Sequence, residues 1–279
     1  MNLLHVMRAS ALASLSVVCA LSIGGASHAR TLDEIKASGE LRIGDEASYV
    51  PFAFRKDGAI IGYDIDVADS LCKALQVKCV VVDTVWAGII PALFADKFDV
   101  IMGQLDYSPE RMAKVGFSIP YAEASQAMLV RAADKDKIKS LDDLSGRVLA
   151  VKLGSPGAQM KDSIAARIKA DKGEGPSEIK IFDDHPAAYL ALSDGRVDGV
   201  LNSLTTLAVL TKDQPGKYAV VPQVGSDNWA GIATLPGDAS LLDFLNKEIL
   251  AMKADGSLAR FQEKWFGMAM KLPDAIPAK

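Results

Sequence analysis

The chain has 279 residues, 49% hydrophobic and 24% charged, with 31 Lys and Arg against 35 Asp and Glu and a formal net charge of −4 at pH 7. That length supports one large core or two modest ones. The acidic balance, with no basic run and no interleaving of aromatic with basic residues, argues against nucleic acid as a partner.

Residues 1–29 read as a secretory signal peptide. Met1–Arg8 carries one positive charge, Ala9–Ala26 is uncharged and rich in apolar and small residues, and Ser27-His28-Ala29 places small residues before a cut. The apolar run is at the short end for a membrane span and is diluted by Ser, Gly and Ala. Val17-Val18 before Cys19 is too bulky for lipid attachment. Cleavage after Ala29 leaves 250 of the 279 residues, 30 basic and 35 acidic. The secreted chain is expected to be soluble, periplasmic and monomeric. It keeps Cys72 and Cys79, which in an oxidising compartment read as a local disulfide, since Lys73, Gln76, Val77 and Lys78 bring no further metal ligands.

In chain order, Leu41–Gly44 reads as a strand, followed by a loop through Pro51. Tyr63–Leu75 is predicted helical, with Ile65, Ala68, Leu71 and Leu75 at three- and four-residue spacing. Val77–Val82 is a near-continuous apolar strand, expected to be covered on both faces. A helix over Ala87–Phe94 and a strand over Phe98–Met102 follow. Ser108 is an N-cap with Pro109 at the first helical position, which puts Arg111 in the first turn. The apolar run Ala127–Val130, the charged stretch Ala132–Asp143 and the strand Val148–Lys152 come next. Gly154-Ser155-Pro156-Gly157 then opens a helix. A second crossing between lobes is expected near Trp229–Ala233. The end is helical, with an apolar face of Leu241, Phe244, Leu245 and Ile249, a break at Asp255-Gly256, and Leu258, Phe261, Trp265 and Phe266 beyond it. Strands alternating with helices make this an α/β chain.

Ala92–Met102 and Ala191–Leu201 share Ala-Leu, Asp, a basic residue and Asp in register, 99 residues apart. Two lobes of similar build follow from this. Gly103-Gln104 and Asn202-Ser203 then occupy matching places at the carboxyl ends of their strands, where open α/β sheets bind ligands.

Gly39–Gly44, Tyr49-Val50-Pro51-Phe52, Gly62–Asp66, Trp86–Leu93, Ser108–Arg111, Phe117–Tyr121, Asp142–Gly146 and Gly195–Asp198 together resemble the polar amino-acid solute-binding proteins of ABC importers. These include the lysine/arginine/ornithine, histidine and glutamine binders. The motifs run in the family's order over essentially the whole secreted chain. The resemblance implies a two-lobed periplasmic-binding-protein (venus flytrap) fold with two hinge crossovers. Lobe I would comprise residues 30–124 and 230–279, and lobe II residues 125–229. It also implies an amino-acid-like ligand, an ABC transporter permease as partner, no cofactor or metal, and a disulfide at Cys72/Cys79.

Arg111 is the first candidate site residue. A guanidinium grips a carboxylate through two parallel bonds, and the family uses the matching arginine for the ligand's α-carboxylate; the alternative is a surface pair with Glu110. Ser155, at the strand-to-helix turn, is a second anion contact from the other lobe. Tyr49 and Trp86 match the positions that sandwich the ligand's side chain, and their faces suit a cation. Glu46 replaces an aspartate that reads cationic side chains, and Asp106 stands where arginine-binding members often carry Asp. Ser203 departs from the family's ammonium-holding aspartate. With Gly103 and Gln104, these residues form the expected cleft. Glu46, Asp106 and Arg111 together carry one net negative charge, which favours a basic or cationic ligand. Asp64, Asp66, Asp99 and Asp198 are read as structural.

No enzyme is expected. The secreted chain has one histidine, His185, and no GxSxG, GxGxxG or phosphate-binding loop. The alternatives are a cyclohexadienyl dehydratase-like enzyme on the same scaffold, working through carboxylates such as Glu46 and Asp106, and a ligand-reporting partner of a sensor.

Overall fold

The computed structural model describes residues 30–277, so the expected signal peptide lies outside the described residues. Two five-stranded sheets share one plan. The first runs, in spatial order, Lys78–Asp83, Glu40–Asp45, Val100–Ile101, Ala233–Thr234, Gly116–Phe117. The second runs Glu178–Phe182, Val148–Lys152, Gly199–Ser203, Gln126–Arg131, Tyr218–Val224. Each is a parallel trio extended by two antiparallel strands. A short antiparallel ribbon, Ala122–Glu123 against Trp229–Ala230, carries the chain from one sheet to the other and back.

The repeat seen in sequence has a structural basis. Asp99 accepts from Arg42 N (2.8 Å) at the edge of one parallel strand pair, and Asp198 accepts from Val148 N (3.0 Å) at the equivalent place in the other sheet. Each aspartate also pairs with arginine, Asp99 with Arg30 and Arg42 and Asp198 with Arg131. The helix before each strand ends in a residue with positive φ, Asp96 in one lobe and Gly195 in the other. The two aspartates therefore lock the strand register in both sheets, as structural residues.

The helix Tyr63–Leu75 forms over the range its apolar spacing predicts, burying Val67, Leu71 and Leu75. It packs with the C-terminal helices Ala239–Ala254 and Ser257–Phe266 in one core that includes Ile43, Leu241, Leu245 and Phe266. The chain's end thus returns to the first sheet. Leu149, Val151, Ile164 and Ile168 anchor a separate core in the second lobe.

Two local expectations change. The apolar strand, Lys78–Asp83, is the edge of its sheet and is not covered on both faces; it pairs only with Glu40–Asp45, and Lys78, Val80 and Asp83 are exposed. The Cys72–Cys79 disulfide ties this edge to the helix beside it. The segment from Trp86 begins as a single 3₁₀ turn, Trp86–Gly88, before the helix Ile89–Phe94. That turn swings Trp86 into the space between the lobes.

Candidate functional site

Arg111 sits in a one-turn helix, Pro109–Met112, whose cap Ser108 accepts from Arg111 N at 3.3 Å. Its side chain is 5% exposed and lies between the lobes, not on the surface. One guanidinium nitrogen pairs with Asp106, and the other donates to Gly154 O of the opposite lobe at 2.7 Å. Glu110, the surface alternative, pairs instead with Lys114 at 2.7 Å. Burial lowers the Arg111 pKa, and the Asp106 carboxylate opposes that shift. Asp106 also accepts from Asn228 Nδ2 at 3.1 Å.

Trp86 donates its indole N–H to the same Gly154 O (3.2 Å), and the Arg111 guanidinium lies 5.7 Å from its ring centroid. Gly154 and Ser155 follow the strand Val148–Lys152, and Ser155 caps the 17-residue helix Pro156–Lys172 by accepting from Ala158 N at 3.2 Å. The start of this helix thus lies opposite Arg111, with Ser155 and Pro156 lining the cleft.

A different ion pair, unlike Arg111–Asp106, crosses between the lobes. Lys152, the last residue of its strand, pairs with Glu46, which follows the first strand of the other lobe. Both side chains are under 10% exposed. The Lys152 ammonium lies 5.5 Å from the Tyr49 ring centroid and 5.4 Å from that of Trp86. The aromatic sandwich expected to hold a ligand's side chain therefore surrounds the chain's own cation. Burial lowers the Lys152 pKa, and Glu46 pulls it back.

Tyr49 is the centre of the polar network. Its hydroxyl donates to Gln104 Oε1 (2.6 Å), lies 3.0 Å from Asn202 Oδ1 and 3.3 Å from Ser203 Oγ, and accepts from Thr206 (3.2 Å). Burial pushes its pKa up to about 12, so it remains a phenol at neutral pH. Ser203 Oγ is occupied as the N-cap of the helix Leu204–Asp213 and as a donor to Thr206 Oγ1 (2.8 Å). Gln104 has a left-handed backbone (φ 58°), and its N–H meets Tyr121 Oη at 3.1 Å. Gly103 is required by space as well as by its φ of 100°. A Cβ there would meet Asp45 Oδ1 and the Trp86 ring at 2.9 Å.

Beneath this turn lie two buried acids. Asp64 Oδ2 accepts from Gly103 N (2.8 Å), and Asp45 Oδ1 accepts from Glu46 N (2.7 Å). Their other oxygens, Asp64 Oδ1 and Asp45 Oδ2, have no hydrogen-bond partner of normal geometry. Burial pushes Asp64 up to about 7, and burial with the Asp64 charge holds Asp45 well above the carboxylate range. Carboxyls this close cannot both ionise, so they share protons at neutral pH. Asp64 is fully buried and holds the Gly103 turn through the backbone N–H of that glycine.

Tyr49, Trp86, Gly103, Gln104 and Ser155 surround a narrow cavity of about 30 Å³ at the cleft centre. Around it, Glu46 pairs across the lobes with Lys152, Arg111 pairs with Asp106 of its own lobe and reaches Gly154 O of the other, and Ser203 is turned into its helix cap. Gln126, His185 and Asn202 also line the cavity. Asn202 stands at the strand end that the sequence had pointed to, whereas Gln126, His185 and Lys152 are the residues that sequence reasoning missed. Lys152 and Gln126 had a usable signal, since each borders a predicted strand. His185 had none, because it stands in a polar stretch and is brought to the cleft by the fold. It is 5% exposed and stacks on Tyr49 with ring centroids 5.6 Å apart.

This arrangement can grip a carboxylate with Arg111 beside the Ser155 turn, and the space between the two aromatic faces is taken by Lys152. Among the described residues no group of three or more His, Cys, Asp or Glu is arranged to hold a metal ion.

Residues 41–268 match the family of bacterial extracellular solute-binding proteins, family 3. An L-cystine-binding protein of Escherichia coli K12 is 30% identical over 270 residues, covering 96% of this chain and 98% of its own. An ABC transporter arginine-binding protein of the same strain is 28% identical over 235 residues, 82% of this chain and 92% of its own. Among solved structures, an ancestral amino acid-binding protein described as a precursor of cyclohexadienyl dehydratase superposes with a TM-score of 0.76 at 36% identity, covering 84% of this chain and 98% of its own. An ancestral arginine-binding protein bound to arginine gives 0.75 at 37% identity, with 82% and 99% covered.

Proposed function

Since the chain belongs to the bacterial extracellular solute-binding proteins of family 3, we propose that it captures an amino acid or amino-acid-like ligand in the periplasm for an ABC importer. The lobes, residues 30–124 with 230–279 and residues 125–229, would close about the ribbon at Ala122–Glu123 and Trp229–Ala230. Closure follows from ligand contacts made with both lobes at once.

The observation that carries this reading is Arg111: a buried guanidinium between the lobes, over an aromatic face, opposite the strand-to-helix turn at Gly154–Ser155. A ligand carboxylate replaces the Gly154 carbonyl as its partner and gains a bidentate bond.

Side-chain charge is set by four groups. Glu46, Asp106 and Arg111 alone leave one negative charge and suit a cation; Lys152 cancels it. With Lys152 between the two rings, a ligand neutral overall fits best. A cationic ligand is the second reading. It needs Lys152 to leave the sandwich, and the arginine binders among the relatives favour it.

Thermal shift of the refolded secreted chain against amino acids, opines, betaines and polyamines tests the reading. A hundredfold ligand excess over Kd stabilises the native state by about 2.7 kcal/mol. A shift with zwitterions and none with polyamines supports it, and no shift with any amino acid refutes it. Turnover of prephenate or arogenate would replace it with the dehydratase reading.

A further inference from the structure

Beyond the Tyr49 ring the cleft continues into a recess of about 380 Å³ between the helices His185–Ser193 and Leu204–Asp213. Ser48–Val50 of the other lobe forms its remaining wall. Tyr49 and His185 line both this recess and the narrow central cavity, so the two spaces meet at that ring pair.

Three observations set what the recess takes. First, His185 is buried at the junction and neither ring nitrogen makes a hydrogen bond of normal geometry. Buried polar atoms are ordinarily partnered, and here the ring is held by stacking, between Tyr49 and Tyr189. Second, the middle of the recess is apolar, with Val209 in its wall and Val50 and Leu190 half exposed at 46% and 58%. Third, the recess ends at two exposed residues of opposite charge, Asp213 and Lys217, and no ion pair between these or to other groups occurs among the described residues. An apolar passage ending in an anion and a cation, neither of them in an ion pair and the cation held over the Tyr218 ring at 5.0 Å from its centroid, complements a zwitterion carried on an uncharged spacer.

We infer that the recess is a second ligand compartment, which takes the distal head of a long amino acid bearing two α-amino-acid ends. The spacer crosses the edge of His185 and lies against Val209 and Leu190. The distal carboxylate faces Lys217, and the distal ammonium faces Asp213. His185 to Tyr189 is one helical turn, about 6 Å along the axis, and sets the minimum reach of the spacer. The inference deepens the amino-acid-binding reading and rests on it.

The test is calorimetric titration of the refolded secreted chain with L-cystathionine, which has two heads on a thioether spacer, and with S-methyl-L-cysteine, which has one. Cystathionine is expected to bind at least tenfold more tightly. The double variant Asp213→Ala/Lys217→Ala, both at exposed positions, should lower the ratio of the two affinities at least threefold, and Leu190→Trp, which fills the recess from its rim, should lower it further. Equal affinities in the unaltered chain, or variants that leave the ratio unchanged, overturn the inference. If neither thioether binds while another amino acid gives a thermal shift, the recess inference falls alone. If no amino acid binds at all, the binding reading falls with it.

Discussion

Replacing Asp45 with Asn should stabilise the protein at alkaline pH and leave it unchanged at acidic pH. In the native fold Asp64 ionises near 7, raised by burial from an ordinary value of 3.8, and Asp45 is raised as well. Between those values the native state binds more protons than the unfolded chain, so stability falls as pH rises. At about 1.4 kcal/mol per pH unit, the Asp64 shift alone costs up to about 4 kcal/mol once pH exceeds 7. An Asn at position 45 keeps an oxygen for Glu46 N–H and removes one of the two neighbouring acids, so Asp64 no longer faces a second carboxyl. Recovering half of the penalty, about 2 kcal/mol, raises Tm by roughly 4–8 °C in a chain of this size. The assay is Tm by circular dichroism from pH 4 to pH 8.5 for both proteins. His185 adds an opposite slope: burial lowers its pKa well below 6.5, so stability is lost as pH falls below 6.5. That term is common to both proteins and cancels in their difference. Parallel Tm profiles, with no gain of the variant above pH 7, would refute the shared-proton argument.

Arg111→Ala breaks a buried pair and leaves Asp106 uncompensated, so carboxylate ligands should lose about 3–5 kcal/mol of binding energy; calorimetry showing unchanged affinity removes Arg111 from the site. Lys152→Met frees Glu46 and the Tyr49–Trp86 sandwich, and arginine should gain at least tenfold in affinity relative to glutamine, a gain abolished when Glu46→Gln is added. An arginine-to-glutamine ratio unmoved by Lys152→Met counts against Lys152 as the residue that sets ligand charge. Cys72 and Cys79 should resist thiol labelling in the secreted protein without reductant, and reduction should cost about 2 kcal/mol through the small loop they close, read as a lower Tm; rapid labelling of the unreduced protein would contradict the bond.

Local features were legible because their causes are local. The helix Tyr63–Leu75 follows from apolar spacing, the Ser108 and Ser155 caps follow from a hydroxyl placed before a proline, and the Asp99 and Asp198 anchors follow from one short motif occurring twice. The disulfide joins residues of one helix and the adjacent strand. The expected covered strand failed for the converse reason. Val77–Val82 is apolar enough for a sheet centre, but whether a strand lies at an edge depends on which segments pair with it, and only Glu40–Asp45 does.

The sequence by itself determined an α/β chain of two like lobes, the places where its strands open toward a ligand, and the nine residue positions to inspect there. Tertiary structure alone decided how those residues are spent. Glu46 and Lys152 are 106 residues apart and meet only because the chain crosses between the lobes and back; that meeting cancels the negative charge on which a cationic ligand was expected. Asp45 and Asp64 become a proton-sharing pair, and His185 a cleft residue, because folding removes them from water together with neighbours remote in sequence. Helix spacing and capping act over a few residues and can be read from the chain. Burial and Coulomb energies depend on distances through space, which only the folded backbone sets.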